Sequence, residues 1–480
     1  MKSQFFIIDM KQSQLVLFSL FCFYLLVKMF GVKVGKGVAA LSAFFGLLLL
    51  NFAFITPAAG AQDPNGQQTL LNNPGAPADY VWVLVAGSLV FFMQAGFAMV
   101  EAGFLRIKNT VNLMAKNYID FCIATIAFFA VGYALMMGPD VGGIIGAGSP
   151  FLHGSYDVGT YLEFFWMLVF AGTSATIVAG AVAERIKFKA YLIYTVLLSL
   201  LIYPIYGHWV WGGGWLSKLP FGSGAVDFAG SGVVHAVGGF VGLAGAIVLG
   251  PRFGKIKEGK PQAIPGHALT LATLGAFILW FGWYGFNCGS TYSAHELRIA
   301  IIAVNTTLAA ATGALTALML SKWGTGRWDV GLMINGSLAG LVAITAPCAW
   351  VEGWAAVLIG MIGGIIMYVG VRSLDMRGID DPVGAVAVHG FNGIWGLISV
   401  GIFADGTYGV TGLLYGNGVQ LIAQLISAVV VFTWAFGMGL LIFKVMDRWF
   451  GIRVPPEIEL QGLDVREHGC EAYPEFISKG

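Results

Sequence analysis

The sequence predicts an all-α integral membrane protein with eleven transmembrane helices arranged as a five-plus-five inverted repeat. Of the 480 residues, 57% are hydrophobic and 11% are charged, whereas soluble domains carry about 25% charged residues. Apolar runs of about 20 residues, enough to cross a bilayer as a helix, recur between Val81 and Phe443. The 68 glycines favour close packing of helices inside a membrane.

The net charge and the cysteines exclude several other classes. A net charge of +1 without a basic stripe argues against a nucleic-acid partner. The five cysteines are scattered with no C-x-x-C spacing, so we expect no metal, no cofactor and no redox site. We interpret them as small apolar packing residues. They are Cys22, Cys122, Cys288, Cys348 and Cys470.

Residues 1–61 are predicted to form a leader. Its second apolar stretch, Val38–Ile55, follows two lysines and precedes a small-residue site that ends at Ala61. This order is typical of a signal peptide, here cleaved after Ala61. Met29 is an alternative translation start, and an uncleaved anchor is the alternative to cleavage.

The body of the chain is predicted to be a transmembrane domain over residues 79–449, between an extracytoplasmic segment at 62–78 and a cytoplasmic regulatory tail at 450–480. Lysines and arginines cluster in alternate loops, and the intervening loops hold only Lys218 and Arg298. The positive-inside rule therefore places the mature N-terminus outside and the C-terminus in the cytoplasm. We expect a multi-pass protein of the plasma or inner membrane. The spans begin near Tyr80, Asn112, Tyr161, Lys189, Gly230, Ala268, Ala300, Val330, Trp354, Gly384 and Leu413.

One segment occurs twice, with an aspartate eight residues before a histidine in each copy. The first copy runs from Asp227 to His235 and the second from Asp381 to His389. Five spans separate the copies, so they run in opposite directions, as in the inverted repeats of transporters. An aspartate at the N-cap and a helical rise of about 1.5 Å per residue place each histidine roughly 12 Å into the membrane. The two imidazoles are expected to meet near the midplane.

A pair of histidines at membrane depth indicates function, because ionisable groups there are costly. Metal binding would need more ligands than two histidines, and no third ligand accompanies them. No nucleophile and base pair accompanies them either, which argues against an enzyme. A proton relay and a hydrogen-bonding surface for a small polar solute both remain open. Desolvation disfavours imidazolium, so both rings are expected to be neutral.

Further segments surround this repeat. They read AVAERIKF at 181–188, HWVWGGG at 208–214 and WYGFNCGS at 283–290, and the tail carries GLD at 462–464, HG at 468–469 and AY at 472–473. Taken in order with the two Asp-to-His segments, they resemble the ammonium transporter family (Amt/Mep/Rh), most closely its bacterial and plant-type Amt branch. The resemblance covers about residues 79–474.

The resemblance implies a homotrimer of eleven-helix protomers, each with its own pore, that takes up ammonium for nitrogen supply. It also implies a PII-type signalling protein as a partner at the cytoplasmic face, and it leaves open whether methylammonium is accepted as a further substrate. In the tail, Gln461 and Cys470 stand at commonly acidic positions, and Gly384 replaces an acid that some bacterial members carry. The first two departures weaken the case for regulation through the tail.

The resemblance also assigns roles to residues. His235 and His389 match the twin histidines of the pore. Phe170 and Phe286 match the two rings of a phenylalanine gate. Trp211, Phe170 and Ser290 match residues that recruit ammonium at an outer vestibule. Trp166 is assigned the same role and stands where some members have phenylalanine.

Elementary electrostatics then gives a mechanism. Aromatic faces attract a cation by about 0.5–2 kcal/mol each, which docks ammonium but cannot carry a bare ion through an apolar pore. Ammonium can instead lose its proton at or below the gate and pass the histidines as ammonia. Whether the proton crosses separately stays open. An N-cap role explains Asp227 fully, and support of deprotonation is the alternative.

Two other functions stay open. One is an ammonium sensor with little flux; only about 30 residues follow the last span, which favours a transporter. The other is a neutral-gas channel of the Rh type, against which the vestibule around Trp211 and Ser290 favours recruitment of a cation. His153, His208 and His295 are expected to be solvated or capping residues near the outer surface.

Overall fold

The computed structural model describes residues 62–476, and the predicted leader at 1–61 lies outside this range. Within it, ten helices are long and apolar enough to cross a membrane, and the sixteen-residue α8 is a shorter apolar helix between two of them. The predicted all-α membrane fold is confirmed. The helices are α1 Ala76–Phe104, α2 Ile107–Met137, α3 Val158–Val182, α4 Phe188–Val210, α5 Ser231–Leu249, α6 Leu269–Gly289, α7 Ile299–Thr325, α8 Val330–Thr345, α9 Gly353–Met376, α10 Val386–Phe403 and α11 Val419–Phe450.

Ten of the eleven helices begin within five residues of the predicted positions, and the last begins six residues later than predicted. Helix α1 already begins at Ala76, inside the segment predicted to precede the membrane. A short helix, Gln67–Asn72, lies before it. Helix α11 begins at Val419 rather than near Leu413, because Leu413–Tyr415 forms a separate 3-10 turn. The described chain also contains two small hairpins, Asp140–Val141 with Ile145–Gly146 and Ile256–Lys257 with Lys260–Pro261.

The helix contacts repeat between the two halves. Helix α2 packs on α3 and α4, and α7 packs in the same way on α8 and α9. Helix α3 packs on α5, as α8 packs on α10, and α1 lies along α6. Each contact in the first five helices therefore has a counterpart five helices later. This pattern brings the beginnings of α5 and α10 together in the interior, where the two Asp-to-His segments lie.

The arginine-rich loops gather at one end of the helices, which we call the tail end. Glu184 binds Arg252 at 2.7 Å and Arg106 at 2.8 Å, and Arg252 also binds Asp380 at 2.8 Å. Burial alone would raise the pKa of Glu184, but the two arginines hold it at about 2. Alternate loops therefore share one face, as the charge pattern predicts.

The C-terminal tail packs against this same face. Asp464 accepts hydrogen bonds from the amides of Val111 (3.0 Å) and Asn112 (2.8 Å) in the first turns of α2. Glu467 accepts one from the amide of Phe188 at the start of α4 (3.1 Å). Two tail carboxylates thus satisfy amides that begin transmembrane helices, where a negative charge is favourable.

Candidate functional site

Each histidine of the repeat follows an aspartate that caps a helix. The carboxylate of Asp227 accepts four backbone hydrogen bonds of 2.8–2.9 Å, and that of Asp381 accepts three of 2.7–3.1 Å. The donors to Asp227 are the amides of Gly230, Ser231, Gly232 and Val233, and those to Asp381 are the amides of Gly384, Ala385 and Val386. Both carboxylates are fully engaged as caps.

A glycine in the left-handed region turns the chain into each helix. Gly230 has φ +113° and Gly384 has φ +81°, values that side chains other than glycine rarely adopt. An acidic residue would be strained at the φ of Gly384, which accounts for the glycine at this position. Both helices then open with a π-helical turn, Ser231–Ala236 and Val386–Phe391, and each turn contains the histidine. Such turns are frequent at functional sites.

The structure brings His235 and His389 into direct contact. Their Nδ1 atoms lie 3.2 Å apart, and the rings are nearly parallel, 22° apart in orientation, with centroids separated by 5.2 Å. Both side chains are buried. A hydrogen bond between two Nδ1 atoms needs one donor and one acceptor, so the two neutral rings adopt opposite tautomers. One Nε2 then carries a hydrogen and the other does not.

Aromatic rings fix the orientation of His235. It stacks on Trp283 (5.0 Å between centroids) and on Phe286 (5.3 Å). The indole of Trp283 is itself held, because its Nε1 donates to Thr345 Oγ1 at 2.8 Å. Within residues 62–476 the Nε2 atom of His235 has no hydrogen-bond partner. This nitrogen is the polar group that the pair offers to a small solute.

The two predicted gate residues lie next to this pair. The rings of Phe170 and Phe286 are buried, with centroids 4.2 Å apart. Phe170 also meets Trp211 edge-on at 6.0 Å. An unbroken line of rings therefore runs from Trp211 through Phe170 and Phe286 to His235 and His389.

A cavity of about 490 Å³ lies beyond Phe170, at the end we call the vestibule end. It is lined by all four residues predicted to recruit a cation: Trp166, Phe170, Trp211 and Ser290. The Trp211 indole is fixed because Nε1 donates to the Asp227 carbonyl at 2.7 Å. The Ser290 hydroxyl donates to the Phe286 carbonyl at 2.9 Å, which leaves its oxygen as an acceptor.

Two polar residues of this cavity were not predicted from the sequence. Glu163 lines it and accepts a hydrogen bond from the Tyr133 hydroxyl at 2.7 Å. Tyr292 lines it from the loop after α6, with a left-handed φ of +56°. Glu163 carries a signal that sequence reasoning could have used, since it is a charged residue one turn before Trp166 in an apolar span. Tyr292 carries no comparable signal.

The other histidines stand apart from the pore. His153 and His295 are exposed, as expected. His208 is fully buried rather than solvated. Its Nδ1 lies 2.8 Å from the Met136 carbonyl at the end of α2, so it caps that helix, and its Nε2 lies 3.0 Å from Asp140.

The four cysteines in the described part of the chain are free and form no disulfide. Cys288 and Cys348 are buried packing residues, and Cys122 and Cys470 are exposed. Cys22 lies outside the described range. Within residues 62–476 no group of three or more His, Cys, Asp or Glu side chains is arranged to hold a metal ion.

Comparison with known proteins identifies the family. Residues 81–473 match the Ammonium Transporter Family. The chain belongs to the ammonium transporter family. It is 59% identical over 435 residues to ammonium transporter Amt2 of Archaeoglobus fulgidus, covering 87% of this chain and 93% of that protein. It is 44% identical over 401 residues to a putative ammonium transporter of Synechocystis, covering 81% and 88%.

Solved structures of this family have the same fold. The structure called Sensor Amt Protein superposes with a TM-score of 0.78 at 38% identity, covering 83% of this chain and all of that one. Candida albicans Mep2 superposes with a TM-score of 0.72 at 31% identity, covering 79% and 87%. The chain is accordingly a multi-pass membrane transporter, and the family is not one of enzymes.

Proposed function

We propose that this ammonium transporter binds ammonium in the vestibule, removes its proton near the phenylalanine gate and conducts ammonia past the two histidines. The observation that carries the proposal is the unbroken line of rings from Trp211 to His389. It joins a cavity suited to a cation to a buried pair suited only to a neutral solute.

Recruitment rests on Trp211, Trp166, Phe170 and Ser290. Three aromatic rings attract a cation by about 0.5–2 kcal/mol each, and the Ser290 oxygen can accept one N–H bond. These groups recognise ammonium and methylammonium through the same N–H donors. A potassium ion has none to offer to Ser290.

Deprotonation follows from the burial of the gate. Phe170 and Phe286 leave no polar contact for a charged ion, and the desolvation cost of an unpaired charge is tens of kcal/mol on Born estimates. Ammonia crosses at far lower cost because it is neutral. The Nε2 atoms of the pair supply one donor and one acceptor for it.

The histidine pair also supports transfer of the proton as a separate step. The shared hydrogen between the two Nδ1 atoms can shift from one ring to the other if protons enter and leave at the Nε2 atoms. Such a relay makes transport electrogenic. Asp227 takes no part in it, because four amides already occupy its carboxylate.

The cellular setting completes the proposal. We place the vestibule end outside the plasma or inner membrane and the tail end in the cytoplasm, following the positive-inside rule. We infer a homotrimer, and a PII-type signalling protein as a partner at the tail end. Co-purification under nitrogen-rich and nitrogen-poor conditions tests the partner, and failure to associate in both would refute it.

The second candidate function is sensing with little flux. One observation supports this candidate: the structure called Sensor Amt Protein aligns with this chain over the whole length of that protein. Uptake of radiolabelled methylammonium into proteoliposomes, with ammonium and potassium as competitors, separates the two. The transporter requires uptake that ammonium blocks and potassium does not. Ammonium binding without uptake would support the sensor.

A further inference from the structure

The vestibule contains a negative charge that none of the proposed steps uses. Glu163 lies on the second turn of α3 and lines the cavity together with Trp166 and Phe170. Among residues 62–476 it forms no ion pair with a lysine, an arginine or a histidine. A half-buried carboxylate without a counter-ion is unfavourable unless a cation visits it.

Tyr133 holds this carboxylate in place. Its hydroxyl donates to Oε2 of Glu163 at 2.7 Å, and the tyrosine ring is buried against Phe164 with centroids 5.6 Å apart. The other oxygen, Oε1, has no hydrogen-bond partner in the described part of the chain. One oxygen is therefore anchored and one remains available as an acceptor.

The surroundings of Glu163 suit an organic cation with N–H groups. Trp166 and Tyr292, whose rings meet at 5.6 Å, both line the same cavity. Aromatic faces and a carboxylate attract positive charge together, and both repel anions. The other carboxylate near the vestibule, Asp227, is already saturated by backbone amides. Glu163 is thus the acidic group left to meet a ligand.

We propose that Glu163, oriented by Tyr133, is the anionic element of an outer cation subsite that concentrates ammonium and small alkylammonium ions before they reach Trp211 and Ser290. This inference rests on the proposed recruitment of ammonium and adds a charged subsite to it. The carboxylate accepts N–H bonds from the ion and raises its local concentration. It does not take part in deprotonation at the gate.

The test compares Glu163→Gln and Glu163→Asp with the parent protein in proteoliposomes. The readout is the ammonium concentration that gives half of the maximal current, measured at about 0.01 M and about 0.1 M ionic strength, where the Debye length falls from about 30 Å to about 10 Å. The matched control is Glu352→Gln. Glu352 also accepts from a tyrosine hydroxyl, that of Tyr415 at 3.0 Å, but does not line the cavity.

The proposal expects Glu163→Gln to raise the half-saturating concentration about tenfold, equivalent to about 1.4 kcal/mol, with the maximal current kept within about twofold. The salt sensitivity of the parent should survive in Glu163→Asp and vanish in Glu163→Gln. Tyr133→Phe should give a smaller rise than Glu163→Gln. Unchanged half-saturation in Glu163→Gln, or an equal shift in Glu352→Gln, overturns the subsite.

A binding measurement keeps this test separate from transport itself. Titration of the intrinsic tryptophan fluorescence of the purified protein with ammonium chloride, against choline chloride, reports occupation of the vestibule. If the parent carries no current but binds ammonium, and Glu163→Gln binds it more weakly, the proposed transport function is refuted and the proposed subsite is supported. If the parent transports and Glu163→Gln matches it in both measurements, the subsite alone fails.

Discussion

The Nδ1 atoms of His235 and His389 lie 3.2 Å apart, so the two rings share a single hydrogen and act as one unit. Any proton that enters at one Nε2 atom can be matched by release at the other. The pair is buried behind Phe286, and a neutral pair is the form that burial favours. Its geometry therefore suits passage of ammonia and transfer of a proton along the same line.

Replacement of both histidines by alanine should abolish the electrogenic part of transport. We expect ammonium-evoked current in proteoliposomes to fall at least about tenfold, because the two imidazoles that would relay the proton are gone. His389→Ala alone should have a similar effect, since it leaves Nδ1 of His235 unpaired. Selective current equal to that of the parent in the double variant would refute the relay.

The helices and the aspartate caps could be predicted from the sequence because their signals are local. Hydrophobic length gives a span, and an aspartate before an apolar run gives an N-terminus. The match between the segments ending at His235 and His389 even predicted their approach, since it encodes symmetry. Helix α8 was also predicted, although its sixteen residues make it shorter than the other transmembrane helices.

Contacts between distant segments could not be predicted in this way. Asp464 and Glu467 bond to the starts of α2 and α4, more than 250 residues earlier in the chain, and no local pattern marks these partners. The π-helical turns that hold the histidines depend on packing between α5 and α10. Tertiary packing, rather than propensity, decides such features.

A buried polar network is a further example of contacts that could not be predicted from the sequence. Glu101 accepts from Asn117 at 3.0 Å, and Asp120 accepts from the Tyr191 hydroxyl at 2.5 Å. Charged residues inside apolar spans indicate partners, but the sequence does not say which. Only the packing of α1, α2 and α4 brings these donors to the carboxylates.

Removal of the gate ring should weaken selectivity as well as stability. Phe286→Ala opens a space between the vestibule and His235, so water and ions gain access to the histidine pair. We expect potassium to compete measurably with methylammonium uptake in this variant. Phe443→Ala is the matched control, because Phe443 is equally buried but lies on α11. Both should lose about 3–5 kcal/mol of stability, and only the first should lose selectivity.

Comparison of the single variants Asp227→Asn and Asp381→Asn separates a capping role of Asp227 from a role in deprotonation. An amide retains one acceptor oxygen in place of two, so each variant should lose about 1–2 kcal/mol of stability. If Asp227 only caps, the two variants should lower the melting temperature alike and retain similar transport per folded protein. A selective loss of current in Asp227→Asn, at equal stability, would instead show a direct role in deprotonation.

The ion pairs at the tail end should make stability depend on acid pH. The Arg252 and Arg185 guanidinium groups offset the burial that raises the pKa of Asp380, which lies at about 2, below its usual 3.8. Glu184 similarly lies at about 2, below 4.5. Because both folded-state pKa values are depressed, their contribution is complete above about pH 4.5 and is lost as the pH falls towards 2.

Arg252→Gln should remove the shared partner of these two carboxylates and weaken this dependence. Asp380 would lose its salt-bridge partner and Glu184 would keep only Arg106, at a cost of about 3–5 kcal/mol near neutral pH. The melting temperature, followed by scanning fluorimetry in detergent from neutral pH to about pH 3, should start lower and fall less steeply than in the parent. Lys218→Gln is the control, since Lys218 pairs with Asp140 at 2.8 Å but is 59% exposed and should contribute at most about 1 kcal/mol. Parallel curves for Arg252→Gln and the parent would show that the cluster does not stabilise the tail end through its charges.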